Sequence, residues 1–510
     1  MSAVGEVVGL IRDVRIPGPD RRLLPDEGPF DVLLRSGDLG GGVPGGGIIA
    51  DIAPAGALRV HGEVFDAQGR WLIPGLWDHH VHTVQWALVA QRQALGHAAS
   101  AAHAADLMRT ASVLADGRRV GTGFRDALWA DAPTLALLDA ATGEVPTYLI
   151  NADVHSVWLN SAALRREGMV SDASGMLREA PAFEISRRLN AVAPESADAL
   201  VADAAAAAAA RGVVGIVDLD MAWNEEAWAR RLAGGFDTVR VEFGIYPDLL
   251  DRAIAEGLRT GDAVRGASSD LVHVGALKVI TDGSLGTRTA ACSHAYPGDG
   301  HEHGMLTVPR EELLDLMTRA AGAGLACAVH AIGDIANTQA LDAFALTGAH
   351  GTIEHAQLVA HADIPRFARL GVGASVQPEH ALDDRDLTDT IWAGQTALAY
   401  PLRALADAGA NLLFGSDAPV APLDPWAALA AAVFRTRDGR PAWRPEERID
   451  LATALAASTH GGSTAAARIE PGARADLVLC DTDPFAADEA GLREMRVGAT
   501  LLGGRLTHVE

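Results

Sequence analysis

The chain has 510 residues, 49% of them hydrophobic, and a formal net charge of −24. That length excludes a disulfide-stapled miniature and suits one large domain with a smaller companion. The acidic excess argues against nucleic acid and against an anionic membrane surface as partners, since a phosphate backbone calls for a basic patch.

The opening Met1-Ser2-Ala3-Val4-Gly5-Glu6 lacks the basic-then-apolar pattern of a signal peptide. Residues 1–70 alternate short apolar runs with turns, at Val7–Ile11, Asp31–Leu34, Ile48–Ile52 and Val64-Phe65. Gly40–Gly47 reads as a hairpin connection, with no Gly-Lys-Ser/Thr after it to make a phosphate loop. This pattern predicts the first part of a small β domain. Trp71–His82 then reads as a strand, closing on Asp78-His79-His80-Val81-His82. Side chains at even spacing share one face, so Asp78, His80 and His82 point together and His79 points away. Two imidazoles at neighbouring same-side positions can chelate one metal ion.

Residues 83–146 are long for a single connection and are expected to hold helices over the mouth of the main body. Beyond Trp71–Trp77, candidate strands are Thr147–Ala152, Val213–Asp218, Val239–Tyr246, Val272–Ile280, Ala326–His330, Gly351–Glu354, Gly373–Gln377 and Leu412–Gly415. Candidate helices are Ser196–Arg211, Arg310–Ala323, Ile335–Leu346, Ile364–Leu370, Leu402–Ala410 and Leu451–Thr459. The Ala-rich part of the first is short, weakly apolar and holds Asp203; no run is long and apolar enough to span a bilayer. Alternating strands and helices over this length argue for a parallel sheet closed into an eight-stranded barrel. Nine candidates stand for eight places, which makes Val239–Tyr246 or Val272–Ile280 the candidate for a peripheral position. Ala475–Cys480 and Met495–Leu502 are again strand-like, so both chain ends are expected to pair into one small β domain. The expected organisation is 1–70 and 466–510 for the two parts of that domain, and 71–465 for the barrel, with an insertion at about 83–146. Cys292, Cys327 and Cys480 form no CxxC pair, which fits a reducing cytoplasm.

Several candidate barrel strands end in a polar residue, the place where barrel active sites are built. One ends at His80 and His82, a later one at His330, the next at Glu354-His355 and the last at Ser416-Asp417. An apolar run closed by His or Asp carries little alone; four in one alternating chain point into one mouth.

Further motifs accompany these ends: Gly123-Phe124-Arg125-Asp126-Ala127-Leu128-Trp129, Asp153-Val154-His155 through Leu164, Lys278 through Ala290, His330-Ala331-Ile332-Gly333-Asp334, Glu354-His355-Ala356-Gln357, Gly415-Ser416-Asp417-Ala418-Pro419 and Gly472-Ala473-Arg474-Ala475-Asp476-Leu477. Together they resemble the amidohydrolase superfamily, and within it the amidohydrolase family 3 branch that includes N-substituted formamide deformylase. The resemblance covers about residues 50–510 and is weakest at the N-terminal end. It implies a distorted (β/α)8 TIM barrel with a small β-sandwich made from both chain ends. It implies one or two Zn2+ ions at the mouth, with Mn2+ or another divalent ion as an alternative. By motif, His80 and His82 correspond to ligands of the more buried position, His330 and His355 to ligands of a second, and Asp417 to the residue that touches the metal-bound water and serves as general base. A bound ion lowers the pKa of its water from 15.7 to about 7, and a carboxylate beside it can relay the proton.

Lys278 lies on an apolar strand, where a lone ammonium is costly. Two readings stand: a lysine carboxylated by CO2 that bridges two metals, as in several branches, or an ordinary lysine paired with Asp282 or another acid. His155 is a candidate for polarising the substrate carbonyl. Trp86, Trp129, Glu179, Arg288 and His380 are candidate substrate contacts, and Trp77 and Trp158 could extend an aromatic wall. Asp78 is expected to support a ligand by hydrogen bonding. The implied function is hydrolysis of a C–N bond, in an amide, an N-substituted formamide or a cyclic amide. Hydrolysis of an ester-like bond and deamination are the rivals on the same metal site, and a non-catalytic barrel is the third reading, disfavoured by the full ligand set. The partner is a small molecule; dimers are common in the family, so a homodimer is among the assemblies the resemblance allows.

Overall fold

The computed structural model describes residues 3–17, 28–35, 46–60, 62–126, 129–151, 156–178, 180–266, 269–297, 302–464 and 466–510. Strands β1 (Val8–Val14), β2 (Phe30–Arg35), β3 (Ile48–Pro54) and β4 (Glu63–Asp66) form one sheet in the order β3-β2-β1-β4. β5 (Trp71–Pro74) leaves it to join the last strands of the chain in a second sheet. After one residue, β6 (Leu76–Val81) enters the barrel. The expected single strand Trp71–His82 is therefore two, broken at Gly75. The break falls on a residue with no room for a side chain: a Cβ on Gly75 would lie 2.4 Å from Val214 Cγ2.

Residues 84–204 form a compact unit of their own. Its sheet runs β11-β10-β9-β8-β7, built from β7 (Gln93–Ala94), β8 (Arg119–Phe124), β9 (Thr147–Asn151), β10 (Ser156–Leu159) and β11 (Met176–Arg178). Two apolar cores hold it together, one around Phe124, Leu149 and Trp158 and the other around Tyr148, Val157 and Ile185. Two expectations need correcting here. The inserted unit runs to Ala204 and not to about 146. The strand outside the barrel is Thr147–Asn151, while Val239–Tyr246 and Val272–Ile280 both contribute barrel strands.

The barrel continues with β12 (Val213–Asp218), β13 (Arg240–Ile245), β14 (Val272–Ile280), β15 (Cys327–Ala331) and β16 (Gly351–His355). A two-stranded ribbon follows, of β17 (Leu358–Val359) with, later, β19 (Leu398–Ala399). β18 (Gly373–Val376) and β20 (Leu412–Phe414) complete the eight, in the order β20-β18-β16-β15-β14-β13-β12-β6. All neighbours are parallel. The intervening helices follow from simple patterns. Arg310–Ala323 has Glu311 and Glu312 in its first turn, where carboxylates favour the helix dipole. It buries Leu313, Leu316, Met317 and Ala320 along one face and ends at left-handed Gly324.

β21 (Leu477–Cys480), β22 (Val497–Leu502) and β23 (Arg505–Val509) make the second sheet with β5, in the order β23-β22-β21-β5. The two sheets share one core, in which Ile11, Val32, Ile49 and Phe65 meet Leu477, Leu479, Leu501 and Leu506. Both chain ends therefore build a single β-sandwich. Among the described residues no helix is long and apolar enough to cross a membrane, and all three cysteines are buried as free thiols.

Asp476 joins sandwich to barrel. Its carboxylate accepts two hydrogen bonds from Arg240 on β13, at 2.8 and 3.0 Å, and one from Gly503 N at 2.7 Å. Its carbonyl accepts from Gly75 N at 2.8 Å. The pair is nearly buried, so removing one partner strands the other charge. Asp476→Ala should lower unfolding free energy by about 3–5 kcal/mol in urea titrations, with Asp476→Asn losing less. A loss under about 1 kcal/mol, the value of an exposed pair, would show that the pair is not what fastens the two parts.

Candidate metal centre

β20 comes round to β6 and closes the barrel. Asp417 N donates to His80 O at 2.8 Å, His82 N donates to Ala418 O at 2.9 Å, and Val81 bridges Ala418 in parallel. Gly415 permits the approach, since a Cβ there would lie 2.7 Å from that of His80. Asp78 locks the seam: its Oδ1 accepts from His80 N at 3.1 Å and Ser416 N at 2.9 Å. Its support goes to the backbone that carries the ligands and not to an imidazole. Burial raises its pKa to about 6 against those hydrogen bonds.

The closure delivers the Asp417 carboxylate to the histidine pair. His80 Nε2 lies 3.5 Å and His82 Nε2 3.4 Å from Asp417 Oδ1. Zinc bonds of about 2.0–2.2 Å at tetrahedral angles place ligand atoms about 3.3–3.6 Å apart. The spacing therefore fits Asp417 sharing an ion with an imidazole of this pair. The ligand atoms of His80, His355 and Asp417 also lie within 4.8 Å of one another. His79 is engaged elsewhere, as strand parity predicts: its Nδ1 donates to Phe414 O at 3.0 Å and its Nε2 accepts from Gly461 N at 3.2 Å.

His355 stacks obliquely on His80, with centroids 4.9 Å apart, and edge-on to His330 at 4.4 Å. Each inner imidazole is oriented through its far nitrogen. His80 Nδ1 donates to Glu354 Oε2 at 2.7 Å, and His355 Nδ1 donates to Gln377 Oε1 at 2.8 Å. This fixes the tautomers that leave both Nε2 atoms free for an ion. Glu354 is held in turn by the Thr352 hydroxyl. Glu354, which the sequence marks only as part of the strand end Glu354-His355, is the residue that orients His80. Strand alternation puts Glu354 and His355 on opposite faces, yet both reach the centre, because His355 has φ 74 and Ala356 φ 44. Asp417 has φ 58. Such left-handed residues cost roughly 1–3 kcal/mol each and mark places where the chain re-aims a side chain.

Lys278 is 1% exposed, and its Nζ makes no hydrogen bond among the described residues. Burial lowers its pKa, against the attraction of Glu354 and Asp417. The expected alternative pairing with Asp282 is not made. Asp282 spends its carboxylate on the backbone N–H groups of Ile332, Gly333 and Ala291, at 3.0, 2.8 and 2.9 Å. It thereby fixes the turn that follows His330, whose Nε2 lies 3.5 Å from Asp282 Oδ1. The Nε2 atoms of His330 and His380 are also buried without a hydrogen bond. Buried polar atoms without a partner are costly in a closed core, and the imidazole nitrogens among them are of the type that binds a divalent ion.

The field of the site sorts its protonation states. Burial, with the Lys278 charge, pushes His80 below the usual histidine range; burial, Lys278 and His80 push His330 down to about 3. Burial, with His330 and His80, holds His355 well below the usual histidine range. Burial opposes ionisation of Asp417, yet His80, the hydrogen bond from His82, and then His355 hold it far below the carboxylate range. Burial thus favours the neutral, lone-pair-bearing form of His80, His330 and His355 beside an ionised acid, the states a divalent ion requires.

Of the other candidates, His380 belongs to this centre: it is buried, 4.0 Å from Asp417 Oδ2, and its ring is parallel to His355. Arg288 is an exposed loop residue whose guanidinium donates to Pro297 O. Trp86 and Trp129 belong to the unit 84–204. Trp86 is half-buried on the helix Thr83–Ala90. Trp129 donates to Ala98 O at 2.7 Å and stacks on Phe124, so its ring is part of that unit's own packing. Trp158 is fully buried in the same unit, and Trp77 is buried against Gly215 and His460; neither forms an aromatic wall. His155 and Glu179 lie outside the described residues.

The amidohydrolase family model matches residues 63–508. The protein LONG AFTER FAR-RED 3 of Arabidopsis thaliana is 28% identical over 488 residues, covering 86% of this chain and 82% of that one. The N-substituted formamide deformylase of Arthrobacter pascens is 28% identical over 265 residues, 49% of this chain and 48% of the relative. Among solved structures, an uncharacterized metal-dependent hydrolase from Pyrococcus horikoshii superposes with a TM-score of 0.77 at 24% identity, covering 94% of this chain and 99% of that one.

Removing the carboxylate behind His80 should loosen the metal without unfolding the protein. Glu354→Gln is expected to weaken zinc binding about 10–100-fold in chelator competition, with circular dichroism unchanged. Wild-type affinity in that variant would show that the His80–Glu354 hydrogen bond does not tune the site.

Proposed function

The chain belongs to the amidohydrolase family, and from that premise we propose that it is a metal-dependent hydrolase of a C–N bond in a small amide, N-substituted formamide or cyclic amide. One observation carries this reading most directly. The buried Asp417 carboxylate faces His80 and His82 with one oxygen, at 3.5 and 3.4 Å, and leaves the other turned toward His380. A carboxylate in that position can take a proton on one side and release it on the other. The deformylase relative supports the bond class, and the donor set supports zinc, with manganese as the alternative.

His80, His82, His330, His355 and Asp417 are the residues that would hold one or two ions. A bound ion there supplies Lewis acidity, which makes water nucleophilic near neutral pH and draws electron density from a carbonyl. The chain supplies the rest. Asp417 accepts the proton of the attacking water, the water oxygen bonds to the carbonyl carbon, and the C–N bond breaks as the same proton passes to nitrogen. Glu354 and Gln377 keep the imidazoles from rotating during these steps. In this reading Lys278 carries a carbamate: its neutral amine adds to CO2, the nitrogen loses a proton, and the new carboxylate would be one more group able to hold an ion. This reading gives the orphaned Nζ a chemical purpose and replaces a stranded cation by an anion that the ions would neutralise.

A screen of N-formyl and N-acyl amines, cyclic imides and esters, with zinc or manganese supplied, tests the bond class. Asp417→Asn is expected to lower kcat by at least about 10²–10⁴-fold while bound metal, measured by elemental analysis, stays near the wild-type level. Undiminished turnover in that variant would overturn the assigned general base. For Lys278, labelling with 13C bicarbonate should give one carbamate carbon resonance in the wild type that is absent from Lys278→Ala. No such resonance in active, metal-loaded protein would refute the carbamate.

A further inference from the structure

His380 stands in the centre with no task yet assigned. It lies on the short helix Pro378–Asp383, and this helix is held at several points. Glu379, the preceding residue, is buried and ion-paired to Arg437 at 2.8 Å and Arg493 at 2.9 Å. Asp383 takes a second hydrogen bond from Arg437 at 2.7 Å, and Tyr400 donates to Asp384 at 2.6 Å. His380 N donates to Gln377 O at 3.1 Å, and the side chain of the same Gln377 orients His355. The imidazole is therefore fixed parallel to that of His355, with interplanar angle 10° and centroids 6.3 Å apart.

The Nε2 atom is buried and makes no hydrogen bond, 4.0 Å from Asp417 Oδ2. This is the oxygen not facing His80 and His82. A separation of 4.0 Å is too long for a direct hydrogen bond. One heavy atom at about 2.8 Å from both would bridge the two groups. Resting on the hydrolytic reading above, we propose that this atom is the departing nitrogen of the substrate, clasped between Asp417 Oδ2 and His380 Nε2. When the C–N bond breaks, its electron pair stays on nitrogen, which takes the proton carried by Asp417. The N–H that nitrogen already bears donates to the lone pair of His380. A secondary amide has one such N–H and a tertiary amide has none, so the clasp selects secondary amides and formamides. His380 is by this assignment a catalytic residue of the leaving-group side, touching the atom that departs.

The test uses metal-loaded full-length protein, a series of ring-substituted formanilides, and N-alkylformamides with poorer leaving groups. Without the clasp, the proton must reach a misaligned nitrogen, which matters most when the amine leaves poorly. His380→Ala is expected to lower kcat by about 30–100-fold on N-alkylformamides and only a few-fold on nitroformanilide, within the range of positioned proton transfer. N-methylformanilide, lacking the N–H, should lose little. His380→Asn, whose amide oxygen can accept the N–H, should recover part of the loss. Titration of aniline into wild type and His380→Ala gives a readout apart from turnover, with about tenfold weaker binding expected for one lost hydrogen bond. Metal content should match the wild type. A uniform loss across the whole series, a fall in bound metal, or unchanged aniline affinity would each overturn the proposal. Wild-type protein inert on every formamide would instead refute the hydrolytic reading itself, and the clasp with it.

Discussion

The whole centre hangs on the seam between the first and last barrel strands. Two backbone hydrogen bonds, Asp417 N to His80 O and His82 N to Ala418 O, set the height of one strand against the other. Asp78 reinforces that register from the side by accepting from both strands. Slipping the seam by one residue would turn the Asp417 carboxylate away from His80 and His82, because alternate residues face opposite ways. Gly415 is the enabling residue, since no side chain fits between the strands there. The chemistry thus depends on a steric allowance two residues before the acid that performs it.

The second determinant is burial. In water a carboxylate, several histidines and a lysine would exchange partners freely. In a closed core each must be satisfied or neutralised, and the cost of failing is large. Here burial lowers His80, His330, His355 and Lys278, while the surrounding imidazoles keep Asp417 ionised. The result is a site whose neutral donors outnumber its anions, set in a chain of net charge −24. Local geometry, not the overall field, decides what such a pocket accepts.

Much of this was legible in the residues themselves. Asp78-His79-His80-Val81-His82 follows strand alternation closely enough that His79 is correctly separated from its neighbours, and four strand ends announced the same mouth. The resemblance to a known family is confirmed by a family match over most of the chain. What escaped was everything that breaks periodicity. Glu354 was hidden because alternation excludes it when His355 is a ligand; only the positive φ at His355 lets both converge. Trp71–His82 looked continuous because an apolar run carries no mark of which sheet it belongs to, and the switch falls at Gly75, where Val214 leaves no room for a side chain. Thr147–Asn151 has the composition of a barrel strand but pairs within the unit 84–204. The pairing of a strand depends on neighbours far away in the chain, and local pattern does not report them.

The passage of the chain from β5 to β6 has a temporal meaning. β5 pairs with β21, and β6 begins two residues after β5 ends. The strand that carries His80 is therefore tethered to residues about 400 positions later. On a ribosome adding roughly 5–20 residues per second, the early strand waits at least tens of seconds for its partner. During that interval β1 to β4 have half of a core exposed, since Leu477, Leu479, Leu501 and Leu506 have yet to emerge. The unit 84–204 carries its own cores and meets no such delay. Nascent chains of this protein should thus pass through a long vulnerable stage, with a finished insert between an open sandwich and an unclosed barrel, and with aggregation controlled by the arrival of the last three strands.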